Sequence, residues 1–236
     1  MALPKIKHPI FEIKIPSTQK KELFRQFLVR EEKVLLMAKA SEDPADIFRA
    51  LKQVINNCAM PESFDVDKLT IFDLEYLFLQ LRALSVNNIV KLSYKDNEDQ
   101  ELYEFAVDLT KVEVSFPANI EKVIKVTPTM GLTMKYPVAS LFDDKEFLES
   151  GDDAFYELIL RCIDNIYDGD DIYDLANYTK EEIEEFLDNV DVASFEKIQT
   201  FMNSTPKLNY KIEYKNSLDH DRVIELSTLT DFFTLG

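Results

Sequence analysis

Phe11, Ile13 and Ile15 alternate with Glu12 and Lys14, the two-residue period of a strand with one buried face. Pro16 with Ser17 supplies a turn, and Leu23, Phe24 and Phe27 mark a short return strand. From Glu31 the spacing becomes helical, with Val34, Leu35 and Ala38 apolar. Asp43 before Pro44 predicts a helix start, since the carboxylate can cap a free amide and proline has no amide to satisfy. Ile47, Leu51, Val54, Ile55 and Cys58 then line one face. A third helix follows Thr70, with Asp73 standing where a capping box usually has Glu or Gln, and it presents Leu74, Leu77, Phe78, Leu81 and Leu84 to a core.

Between Ile89 and Tyr136 the period returns to two. Val90, Leu92 and Tyr94 alternate, as do Tyr103, Phe105 and Val107, then Val112, Val114 and Phe116, and Val123, Ile124 and Val126 follow. Three to five strands are predicted, with residues 96–99 as the polar turn of the first hairpin. After Gly151 the pattern is helical again, and Phe155, Leu158, Ile159, Cys162, Ile163 and Ile166 form one stripe. Thr179 and Glu182 make a capping box for a helix burying Ile183, Phe186 and Leu187. Phe195, Ile198, Phe201 and Met202 mark another, which Pro206 stops. Leu208, Tyr210, Ile212 and Tyr214 alternate strictly with polar residues, and a turn over 216–219 leads into Val223 and Leu226. The expectation is an α+β fold in three segments. Residues 1–88 hold an N-terminal β-hairpin and three-helix unit, 89–140 a β-rich middle, and 141–236 an acidic helical part ending in a β-hairpin.

Composition narrows the partners. With 236 residues and 46% hydrophobic content the chain can bury a core, while 27 basic against 44 acidic residues give a net charge of −17. That charge repels phosphate backbones, so nucleic acid is not an expected partner. No run approaches the length of a membrane helix and residues 1–11 lack a signal-peptide pattern, so the expected location is the cytoplasm of the producing cell. Cys58 and Cys162 each fall on an apolar helical stripe, which favours buried thiols over a disulfide or metal pair.

Neither nucleotide fingerprint can be built from the four glycines, at 131, 151, 169 and 236. His220 lies in a turn between Asp219 and Asp221, the setting of a solvated histidine rather than a general base. Asp164, Asp168, Asp170, Asp171 and Asp174 invite comparison with a calcium loop, but counting from Asp164 puts Ile166 at the third position and Leu175 at the twelfth, where oxygen donors are required. No catalytic, cofactor-binding or metal-ligating residue is therefore assigned. What stands out is Leu229, Phe232, Phe233 and Leu235, large apolar groups near a terminus. They are expected either to pack on the last hairpin or to dock into another protein.

Three stretches carry a resemblance. MALPKIKHPIFEIKIPSTQKKELFRQFLVREEKVLLMAKASED (residues 1–43), ALKQVINNC (50–58) and DVDKLTIFDLEYLFLQLRALSV (65–86) resemble, in that order, the baseplate hub assembly proteins of T4-like tailed bacteriophages. The strand, PS turn and RQFLV stretch are also similar to the general tail assembly chaperones of long-tailed phages. The resemblance implies a chaperone or minor component of hub assembly, with hub or tape-measure proteins as partners and no catalytic residues. It implies action in the host cytoplasm during infection, or residence in the virion tail baseplate as a structural hub subunit. The oligomeric state is left open.

Overall fold

A computed structural model of the chain describes residues 6–41 and 43–232. Its elements run β1 (Ile10–Lys14), β2 (Lys21–Arg25), α1 (Val29–Ser41), α2 (Pro44–Cys58), α3 (Ile71–Ser85), β3 (Ile89–Lys95), β4 (Leu102–Asp108) and β5 (Glu113–Ser115). Then come β6 (Val123–Lys125), β7 (Met130–Met134), α4 (Lys145–Leu148), α5 (Ala154–Cys162), β8 (Ile163–Asp168), β9 (Asp171–Asp174), α6 (Lys180–Asp188), α7 (Val192–Asn203), β10 (Lys207–Lys215) and β11 (Asp221–Leu226). The fold is α+β, with an N-terminal hairpin and paired strands near the C-terminus as expected.

The chain forms two compact units, residues 1–115 with 207–236, and residues 116–206. Packing thus groups the residues otherwise than period changes do. β3, β4 and β5 of the expected middle segment join the terminal hairpin in the first unit, while β6 and β7 belong to the second.

In the first unit, β1 and β2 pair antiparallel and bury Ile13, Ile15, Phe24 and Phe27. Phe24 meets Phe64 edge-on, and Phe27 lies against Phe78 of α3. The β1–β2 turn is tied to α3 by one carboxylate. Asp73, fully buried, accepts from the backbone N–H and hydroxyl of Ser17 while completing the capping box with Thr70. Asp43 caps α2 as its sequence implied. β3 pairs with β4, and a second sheet runs in the order β11–β10–β5.

In the second unit, a sheet ordered β6–β7–β8–β9 packs one face on α5, α6 and α7. Ile124, Leu132, Met134, Ile159, Ile163, Leu187, Ile198 and Phe201 form its core. Here the single helical stripe read from Phe155 to Ile166 needs correction. The helix ends at Cys162, and Ile163 and Ile166 belong to β8, whose partner is β7 in the register Leu132↔Ile166. Gly131 is needed in β7, because a Cβ there would lie 2.3 Å from the Ile124 carbonyl oxygen and 2.4 Å from the Tyr167 hydroxyl.

Candidate protein-docking surfaces

Of the four C-terminal apolar residues, Leu229 and Phe232 are buried within the first unit, on the short turn Leu229–Phe232, while Phe233 and Leu235 lie outside the described residues. Asp231 closes that turn by accepting from the backbone N–H groups of Ser227 and Thr228, each at 2.8 Å. Leu229 N–H donates to Glu75 Oε1 of α3 at 3.4 Å. Burial, with the nearby charge of Asp231, pushes the Glu75 carboxyl up to about 7 against the one lowering contribution of the Leu229 N–H.

α1 presents a different surface. Its only buried residue is Glu31, which accepts from both terminal guanidinium nitrogens of Arg25, from Arg30 Nε and from Leu28 N–H. Burial acts to raise the Glu31 pKa, but these donors outweigh it and hold the carboxylate at about 2. Anchored there, the helix leaves Val29, Leu36 and Met37 exposed at 74%, 60% and 74%, beside exposed Arg30, Lys33 and Lys39. The sequence reading passed over this surface although a signal exists. Val34, Leu35, Leu36 and Met37 are consecutive, and at about 100° per residue four such side chains wind too far round a helix to share one buried face.

The two hairpin tips of the first unit are joined by polar groups. Asp96, fully buried in the β3–β4 turn, accepts from the Tyr214 hydroxyl and from Arg222 Nε at 3.1 Å. Glu98 accepts from Asn216 and Arg222, and its Oε1 lies 2.8 Å from His220 Nδ1. Asp99 accepts from the Tyr103 hydroxyl and from Ser217. Burial and the Asp96 carboxylate push the Tyr214 phenol up to about 12. His220 is thus an exposed partner of Glu98 in a clasp between turns.

The five aspartates compared with a calcium loop fall on the β8–β9 hairpin, and among the described residues no group of three or more His, Cys, Asp or Glu could hold a metal. Cys58 and Cys162 are free and buried, their thiols pushed up to about 11 and about 12 by burial. Among the described residues no helix is long and apolar enough to cross a membrane.

A family model described as "T4 bacteriophage base plate protein" matches residues 8–234, across both units. Comparisons with curated proteins and with solved structures gave no match.

Proposed function

Because the chain belongs to the T4 bacteriophage base plate protein family, we propose that it serves baseplate hub assembly by holding hub or tape-measure proteins while they are incorporated. The observation that carries this reading is the family match over nearly the whole chain. The exposed apolar and basic face of α1 supports it, as surface a monomer has no reason to leave unpartnered. The net charge of −17 supports it too, since like-charge repulsion keeps a carrier and its apolar client from aggregating. Work in the host cytoplasm during infection is part of the proposal. The residues beyond Phe232, including Phe233 and Leu235, are a second proposed docking segment.

Affinity purification of the tagged chain from infected cells, with quantitative mass spectrometry of the eluate and of finished virions, tests the reading. Recovery of hub or tape-measure proteins from cells, with little of this chain in virions, is the expected result. Fixed stoichiometry in virions would make it a structural hub subunit instead. Replacing Leu36 and Met37 by Glu should lower recovery of the client, and so should deleting residues 233–236, which leaves Leu229 and Phe232 in place.

A further inference from the structure

β9 is the outer strand of the four-stranded sheet in the second unit, and all four of its residues are exposed. A two-residue turn, Gly169 and Asp170, joins it to β8, with Gly169 at φ +60° as such a turn demands. In a hairpin this tight the flanking pair Asp168↔Asp171 exchanges backbone hydrogen bonds, and the pattern alternates from there. The backbone N–H groups of Ile172 and Asp174 therefore point away from β8, along the open edge.

Beside that edge lies an apolar groove of about 280 Å³. Met130, Ile166 and Tyr173, neighbours on one face of the sheet, form its floor, and Ile183 and Phe186 of α6 form its wall. Asp168 and Glu182 stand on its rim. The hairpin itself is acidic, because residues 162–179 hold five aspartates and no lysine or arginine; of the nearby cations, Lys135 pairs with Asp164, and Arg161 and Lys180 at its ends are tied to Asp144, Glu146 and Glu157. Two copies of this edge would oppose aspartate to aspartate, which disfavours self-pairing. An open edge, an apolar groove and unbalanced negative charge together specify an occupant.

We propose that the β9 edge and its groove accept an extended segment of a client protein in which Lys or Arg alternates with aliphatic residues, added as a fifth strand. The client's main chain pairs with the free edge, every second side chain enters the groove beside Tyr173, and the cations meet Asp170 and Asp174. This rests on reading the chain as one that holds other proteins.

The test uses fluorescence polarisation of labelled peptides of about eight residues with the full chain at about 50 mM salt. A Lys-Val repeat should bind at least about tenfold tighter than octalysine or a Glu-Val repeat. Asp170→Lys combined with Asp174→Asn, which removes the Asp174 charge but keeps the oxygen that Ala176 N–H donates to, and separately Tyr173→Ala, should each weaken it about tenfold, with circular dichroism confirming the fold. Ile172→Pro, which removes an outward donor without touching the β8 ladder, should do the same. Octalysine binding as tightly as the repeat, or all three variants binding like the parent, overturns the proposal. In infected cells, identified phage structural proteins should be recovered with the parent chain and depleted with the charge-reversed one. Equal recovery with both refutes the β9 site and leaves the assembly role standing, whereas no such protein with either refutes the assembly role while the peptides still judge the site.

Discussion

Glu31 and Glu75 are carboxylates in helices of the same unit, and their surroundings drive them in opposite directions. Glu75 rises from an ordinary 4.5 to about 7, so the folded state holds its proton more tightly than the unfolded chain. Its contribution to stability is complete below about 4.5 and is lost as pH rises through about 7. Glu31 falls from 4.5 to about 2, so its contribution is present above about 4.5 and is lost as pH falls toward 2. Urea unfolding at pH 5 and pH 8 should show the parent chain losing on the order of 1–2 kcal/mol more than Glu75→Gln over that interval. Equal losses would mean that Glu75 titrates normally. Glu31→Gln should cost about 3 kcal/mol at neutral pH, because it leaves Arg25, which is 11% exposed, without its charge partner, and it should flatten the acid limb. The local part of this chemistry was legible in the sequence: Asp43, Thr70 and Thr179 cap the helices they were expected to cap. The partner of Glu75 was not, since Leu229 meets it from 154 positions away.

At the scale of elements, legibility followed how far a pattern depends on distant pairing. β10 declares itself by strict alternation, and β1 with β2 by alternation around a Pro-Ser turn. β8 does not, because Cys162, Ile163 and Ile166 fit a helical stripe as well as a strand, and only pairing with β7 decides between them. That pairing is tight at one point, where Tyr167 lies over Gly131. Gly131→Ala should destabilise the protein by about 1–3 kcal/mol in chemical unfolding, since both the Ile124 carbonyl and the Tyr167 ring would have to yield. Tyr167→Phe should instead be neutral or stabilising by up to about 1 kcal/mol, because the buried hydroxyl has no hydrogen-bond partner among the described residues. A loss above about 1 kcal/mol in that variant would show that an ordered water or another group satisfies the hydroxyl.

For the whole molecule, the decisive contact is β5 with β10. Lys207 pairs with Ser115, Leu208 with Val114 and Asn209 with Glu113, so the residues that flank 116–206 are neighbours across one antiparallel ladder. The second unit is therefore an insertion into a hairpin of the first, which no change of period along the chain could reveal, because ninety-one residues separate the paired ends. An insertion whose ends meet can be replaced by a short turn without stretching the host. Exchanging residues 116–206 for a turn of about four residues should leave the first unit folded, with cooperative thermal unfolding and the buried Cys58 thiol unreactive until the transition. The excised 116–206 should also unfold cooperatively, since its core draws on its own strands and helices alone. If both pieces fold, the α1 face and the β9 edge can be assigned clients separately, each tested on the piece that carries it. If either collapses, the two units depend on each other for stability, and only variants of the full chain can judge which surface a client uses.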